Sequence, residues 1–120
     1  MSAAKKKTAP AATIEYYEKV VATNPKVERK GATIPYTSLN GNMFSYLHRS
    51  GSMALRLPEE EREKFLKKHK TKLFEAYGVV QKEYVTVPDA LLRNTKELAK
   101  YFALSYEYAK TLKPKPTKKG

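Results

Sequence analysis

Few side chains in this sequence have the types and the spacing that catalysis requires. The chain contains no cysteine, which excludes disulfides, zinc–thiolate sites and thiol nucleophiles. Its histidines are His48, beside Arg49, and His69, within a run of lysines. The neighbouring positive charges should lower the pKa of both imidazoles. Neither histidine is paired with an acid or a nucleophile in the sequence, so we expect solvated polar residues rather than catalytic ones.

No pattern for a cofactor or a metal ion is present either. The five glycines are scattered along the chain, so there is no Gly-rich loop to hold a phosphate. The acidic run 59–61 is better explained by electrostatics at the start of a helix than by a divalent metal site. We therefore expect a protein that is not an enzyme, with no catalytic residues, no cofactor and no metal.

The aromatic side chains are better candidates for a binding surface. The chain has nine tyrosines and no tryptophan. Tyr36, Phe44 and Tyr46, near Arg49 and Arg56, would form a base-stacking sheet face of the kind that single-strand-binding proteins use. We favour the alternative, in which half of these rings form the core, because an antiparallel sheet must bury one face. The candidate binding surface comprises Tyr36, Tyr46, His48, Arg49, Arg56, Tyr84, Tyr101 and Tyr108.

Arg56 has two interpretations that the sequence leaves open. It lies between Leu55 and Leu57 in an alternating strand pattern, and it therefore points away from the face that those two residues bury. A charged residue in this setting is commonly a solvated edge residue that deters strand pairing. The other interpretation is an anchor for a carboxylate or phosphate, which the guanidinium group binds with two parallel hydrogen bonds.

The positive charge is concentrated at the two ends of the chain. The net charge is +12, and removing the seven lysines of the ends leaves +5 for residues 8–112. These lysines either keep the protein soluble or act as electrostatic arms that attract a polyanion. The arms consist of Lys5, Lys6, Lys7, Lys113, Lys115, Lys118 and Lys119.

A stretch of alternating residues from Gly31 to Leu57 predicts the structure that positions these groups. Asn40-Gly41 predicts a type I′ hairpin turn, because both central residues of that turn need a positive φ. A second turn at Ser50-Gly51 completes a three-stranded β-meander. Alternation places Phe44, Tyr46 and His48 on one face of the second strand, and Met43, Ser45 and Leu47 on the other.

Helices and further strands flank the meander. We expect a first helix over 14–23 with Thr13 as its N-cap, and a second after Pro58, which is preorganised for the first helical position. We expect a short strand or a turn at 73–77, and a further strand or a pair of strands over 79–87, which is rich in β-branched residues. Asn94, with Glu97 three residues later, resembles a capping box and begins a long last helix to about residue 112.

These elements predict one α+β domain. We expect an N-terminal helix, an antiparallel β-meander sheet, helices packed on the sheet and a long C-terminal helix. The domain covers residues 13–112, between a disordered basic tail at 1–12 and a disordered Lys/Pro tail at 113–120. No segment has the apolar length of a membrane span or of a signal peptide, so we expect a cytoplasmic protein that does not enter a membrane.

Two segments resemble the TfoX N-terminal (TfoX/Sxy-like) domain. The stretch SLNGNMFSYLHRSGSMALRLP resembles its "glycine–x–Met-Phe … Leu-x-Lys/Arg" core. The stretch YVTVPDALLRNTKELAKYFALSYEYA resembles its "Tyr–x–x–Val-Pro … Leu … Leu … helix" ending. The resemblance covers roughly residues 13–112, and 30–47 is also similar to small stand-alone bacterial proteins with this domain. The matching residues are Gly41, Met43, Phe44, Gly51, Leu55, Arg56, Tyr84, Val87, Pro88, Leu92 and Leu98.

The resemblance implies an architecture close to the MmcQ/YjbR-like fold and no catalytic residues. Family members are linked to the regulation of natural competence, where the domain stands beside a second, helical domain that we do not find here. We therefore expect the family's fold, and a binding or regulatory module that contacts a protein through the sheet edge or the Tyr-rich last helix. The first alternative is weak, sequence-nonspecific binding of nucleic acid through the basic tails and the mildly basic body. A third possibility, an enzyme, would need a cleft that gathers Tyr36, His48, Arg56 and Tyr84. We expect a monomer or a small homo-oligomer.

Overall fold

The computed structural model of the chain describes residues 9–31, 33–76 and 78–114. The expected α+β architecture is confirmed: within these residues, an antiparallel sheet of five strands and four helices fold together. The elements follow one another as α1 (Ala11–Val21), β1 (Tyr36–Leu39), β2 (Asn42–Leu47), β3 (Met53–Arg56), α2 (Glu59–His69), β4 (Leu73–Ala76), β5 (Val79–Val87), α3 (Asp89–Leu92) and α4 (Thr95–Thr111).

The predicted meander forms one side of the sheet. Asn40 and Gly41 have φ values of 53° and 82°, as a type I′ turn requires, and β1, β2 and β3 pair in sequence order. The next strand in the sheet is β5 rather than β4, because α2 carries the chain past β3 and the β4–β5 hairpin returns with β5 inside. The strand order is therefore β1-β2-β3-β5-β4, with β1 and β4 at the edges.

All four helices contribute to a core on one face of this sheet. The main buried cluster joins helix residues such as Tyr17, Phe65 and Phe102 to strand residues such as Leu55 and Val85. A second, smaller cluster contains only strand residues and a loop residue before β1, and it lies on the opposite face. We call this opposite face the outer face. None of the described helices is long and apolar enough to cross a membrane.

A β-bulge in β2 decides which side chains reach the outer face. Thr37 pairs with Ser45, but Ser38 pairs with Met43, so Phe44 is an extra residue with no partner of its own. The Phe44 ring packs 5.5 Å from that of Phe102 on α4. The expectation that Phe44 and Tyr46 share a face is therefore wrong, because strict alternation assumes an uninterrupted pleat.

The helix ends follow local signals with one exception. Helix α4 is capped as predicted, since the Asn94 Oδ1 atom accepts a hydrogen bond from the backbone N–H of Glu97 at 3.2 Å. Helix α1, in contrast, begins at Ala11 with Pro10 at the N-cap position. The expected N-cap, Thr13, lies inside the helix, because a proline just before the first turn already has a suitable φ of −58°. The predicted tail residues 1–8 and 115–120 lie outside the described residues.

Candidate functional site

The outer face is lined by apolar and aromatic side chains with no helix over them among the described elements. Regular alternation brings Tyr46, Ala54 and Tyr84 to this face, and the bulge in β2 brings Met43. The members of the cluster are Ile34, Tyr36, Met43, Tyr46, Ala54, Phe74, Ala76 and Tyr84. An open sheet face of this composition marks a surface that another molecule can cover.

Tyr46 is the centre of the aromatic packing on the outer face. Its ring lies 5.5 Å from that of Phe74 and 6.0 Å from that of Tyr84, both edge to face. Its hydroxyl donates a hydrogen bond to the Gln81 Oε1 atom at 2.7 Å. Only 8% of Tyr46 and 4% of Phe74 is exposed. Because these rings pack against one another and are almost fully buried, they form a shallow second core rather than a platform for base stacking.

A groove opens beside this second core, next to β1. It has a volume of about 350 Å³ and is lined by Ile34, Tyr36, Met43, Tyr46 and His48. We call it the outer groove. Burial lowers the pKa of His48, and the charge of the adjacent Arg49 lowers it further, as the sequence predicted. The imidazole is therefore neutral near pH 7, which keeps the groove uncharged.

Arg56 lies on the outer face, on an interior strand. Its Nε atom donates to Glu83 Oε1 at 2.7 Å, and its Nη1 atom donates to the Met43 carbonyl oxygen at 3.4 Å. The Tyr84 hydroxyl donates to the same carbonyl at 2.7 Å, and the guanidinium carbon lies 5.7 Å from the centre of that ring. Because β3 lies between β2 and β5, the interpretation of Arg56 as a residue of an edge strand is wrong.

The two tyrosines beside Glu83 keep their protons. Burial raises the pKa of Tyr84, although the nearby positive charge of Arg56 opposes the change. Burial and the Glu83 carboxylate raise the pKa of Tyr108, whose hydroxyl lies 3.4 Å from Glu83 Oε1. Both phenols are therefore hydrogen-bond donors at neutral pH rather than bases. Their role in this geometry is to hold strand ends and α4 together.

The structure separates the sequence-derived candidates into groups. Tyr101 lies in the helix layer, where its hydroxyl is 3.1 Å from His69 Nε2 and its ring is 4.9 Å from that of Phe65. Arg49 is exposed in the turn between β2 and β3. Tyr108 reaches the sheet from α4 through Glu83. The residues that share the outer face are Tyr36, Tyr46, His48, Arg56 and Tyr84.

Several residues of this surface are not among the candidates predicted from the sequence. Ile34 and Met43 line the outer groove. Gln81 accepts the hydrogen bond of the Tyr46 hydroxyl, and Glu83 accepts that of the Arg56 guanidinium. The Met43 position follows only from the bulge, for which a six-residue strand carries no clear signal. Glu83 is 27 residues from Arg56, and nothing local links the two.

The described residues include one of the seven tail lysines and all the acidic residues and histidines of the chain. Of the seven tail lysines, Lys113 is described, and its carbonyl oxygen accepts a hydrogen bond from Asn42 Nδ2 at 3.0 Å. The others lie outside the described residues. Within residues 9–31, 33–76 and 78–114, no group of three His, Cys, Asp or Glu side chains is placed to hold a metal ion.

Comparisons with known proteins identify no relative of this chain. No family model matches the chain, and no curated protein and no solved structure matches it. The resemblance to the TfoX N-terminal domain stays a prediction from the sequence.

Proposed function

We propose that this chain is a non-enzymatic binding or regulatory module of the TfoX N-terminal type, which binds a protein partner through the outer face of its sheet. The observation that supports this most directly is the outer groove. It is an apolar hollow of about 350 Å³ on a sheet face that none of the described helices covers. Grooves of this kind accept bulky side chains of a partner and anchor it.

The ring geometry favours a protein partner over a single-stranded nucleic acid. Base stacking needs aromatic rings whose faces are open to solvent. Phe44 is fully buried against α4, and Tyr46 and Phe74 are packed edge to face with less than a tenth of either exposed. The open part of the outer face is instead the groove, which has the size and polarity for an apolar side chain.

Location and assembly belong to the same proposal. A chain without cysteine fits a reducing compartment, and we propose the cytoplasm. We propose a monomer or a small homo-oligomer that binds its partner as a module, without chemistry of its own.

Selection from a displayed peptide library against the full chain tests the proposal. We expect peptides with a shared bulky apolar residue, whose addition shifts the backbone NMR signals of β1 and β2. Ile34→Asp should abolish this binding, because it places a charge in the groove. Leu104→Asp, the same kind of change at an exposed residue of α4, should leave it unchanged.

Two outcomes would count against the outer face. If the selected peptides shift only the NMR signals of α1 or α4, the binding surface lies on the helices and not on the outer face. The second outcome is that no peptide is selected, that the wild-type chain binds an oligonucleotide, and that Ile34→Asp weakens this binding. The partner at the outer face would then be a nucleic acid rather than a protein.

A further inference from the structure

The charged residues of the described chain are distributed unevenly between its two faces. Of the twelve acidic residues, only two belong to strands, and the others lie on the helices or in the loop after α1. The two strand acids are Glu75 and Glu83. Glu83 is already bound to Arg56 at 2.7 Å, which leaves Glu75 as the strand acid without a described ion pair.

Cations, in contrast, surround the outer face. The Lys30 Nζ atom lies 3.4 Å from Ser38 Oγ at the β1 edge, and Arg49 is close enough to His48 to lower its pKa. Lys72 lines a hollow with Phe74 at the β4 edge, although the hollow also includes Glu75. Lys82 lines another hollow with Tyr84. We call this set the basic rim: Lys30, Arg49, Lys72 and Lys82.

We infer that the partner segment bound at the outer face is acidic and inserts one bulky apolar side chain into the outer groove. This inference rests on the proposed function and names the chemistry of the partner. The apolar residues of the outer groove bury the inserted side chain, and the basic rim attracts and orients the acidic segment. A volume of about 350 Å³ is at the small end of ligand pockets, which suits an anchor residue better than a cofactor.

A second copy of the chain fits this surface poorly. The protein carries a net charge of +12, so two copies repel each other, and the basic rims would face each other across such an interface. An acidic segment has the opposite charge to the rim and is attracted over a distance of about 8–10 Å at physiological salt. Charge complementarity therefore selects the acidic occupant.

Three labelled heptapeptides test this inference by fluorescence anisotropy with the full chain. The first has acidic residues around a central phenylalanine. The second replaces the phenylalanine by alanine, and the third replaces the acidic residues by lysines. We expect the first to bind at least tenfold more tightly than either of the others, and to weaken as salt is raised.

Matched variants connect the effect to the rim and the groove. Lys72→Glu should weaken the acidic phenylalanine peptide several-fold, whereas Lys96→Glu, the same charge change on α4, should have little effect. Ile34→Asp should remove binding, whereas Leu104→Asp should preserve it. If Lys72→Glu and Lys96→Glu weaken binding equally, only the net charge matters, and the inference about the rim is overturned.

The remaining outcomes separate this inference from the proposed function. Binding of the lysine-rich phenylalanine peptide as tightly as the acidic one would overturn the acidic partner and retain the groove as an apolar docking site. Displacement of the acidic peptide by a single-stranded oligonucleotide, with equal sensitivity to Ile34→Asp, would overturn the inference in favour of a polynucleotide. If library-selected peptides bind the outer face but none of the three heptapeptides does, the inference fails and the proposed function stands.

Discussion

The Ser105 hydroxyl donates a hydrogen bond to the carbonyl oxygen of Phe44 at 3.2 Å, and both residues are fully buried. This bond joins the middle of α4 to the bulge residue of β2, 61 positions earlier in the chain. A bulge leaves one residue outside the regular ladder, so its polar backbone groups need a partner from elsewhere. Ser105 supplies that partner, and the bulge in turn sets which residues of β2 reach the outer groove.

Removal of this bond should destabilise the fold measurably. We expect Ser105→Ala to lower the free energy of unfolding by about 1–3 kcal/mol, because it leaves a buried carbonyl oxygen without its partner. Urea denaturation measures the effect. Ser52→Ala, at a partly exposed serine with no described side-chain bond, should change stability by less than about 0.5 kcal/mol. Equal effects of the two substitutions would mean that the Ser105 bond does not stabilise the bulge.

Two glycines with similar backbone angles should respond differently to alanine. Gly31 and Gly78 have φ values of 88° and 76°, which side-chain-bearing residues rarely adopt. A Cβ atom at Gly31 would overlap the Ile34 carbonyl oxygen, whereas one at Gly78 would meet nothing. We expect Gly78→Ala to cost about 1 kcal/mol from backbone strain alone, and Gly31→Ala to cost clearly more.

The Gly31 substitution has a second expected effect. The overlap is with the loop residue that lines the outer groove, so Gly31→Ala should also weaken binding of the acidic phenylalanine peptide. Thermal unfolding and anisotropy, measured on both alanine variants, check the two effects separately. A Gly31→Ala protein as stable as Gly78→Ala would contradict the geometry of this loop.

Arg56 should stabilise the fold although it is charged. Its side chain is 17% exposed, and it bonds the Glu83 carboxylate and the Met43 carbonyl beside the Tyr84 ring. We expect Arg56→Ala to lower the free energy of unfolding by about 1–2 kcal/mol, a value reduced by the partial exposure of Glu83. Arg56→Lys should recover only part of the loss, because an ammonium group lacks the planar fork.

Chemical denaturation with a matched control checks the role of Arg56. Arg93→Ala removes an exposed arginine with no described ion pair and should change stability by less than about 0.5 kcal/mol. If Arg56→Ala behaves like Arg93→Ala, the guanidinium contributes nothing net to the fold, and its contacts do not anchor the strand ends.

Mild acid should destabilise the protein through its two histidines. Burial lowers the pKa of both His48 and His69 from the ordinary 6.5, with Arg49 and Lys68 respectively adding to the effect, and Glu97 opposing it at His69. The unfolded chain therefore binds these protons more readily than the folded one. The free energy of unfolding should fall as pH decreases below about 6.5, and level off below the folded pKa values.

The double variant His48→Gln/His69→Gln isolates this contribution. Its stability should change less between pH 7 and pH 5.5 than that of the wild-type chain, whatever its stability at pH 7. Urea denaturation at the two pH values measures the difference. A double variant whose stability changes as much as that of the wild-type chain over this interval would show that the two histidines do not cause the acid sensitivity.

Local signals in the sequence predicted most of the secondary structure. The turn at Asn40-Gly41 and the Asn94 cap follow from the conformational preferences and hydrogen bonds of residues a few positions apart. The buried stripe of α4 follows from helical periodicity, and its members are Leu98, Phe102, Ser105 and Ala109. The exception is the start of α1, which follows Pro10 directly because proline is well suited to precede a helix.

The sequence by itself therefore determined the type and order of the elements and the absence of thiol chemistry, because these depend on composition and on near neighbours. Alternation already placed Tyr46 with His48, and Arg56 away from Leu55, but the tertiary structure decided that Met43 joins the outer face and Phe44 the core. The bulge at Phe44 arises from pairing with β1 and from Ser105 on α4, and the Arg56–Glu83 bond arises because β5 pairs with β3. Such contacts join residues far apart in the chain, and their energies depend on the whole fold, so no local pattern records them.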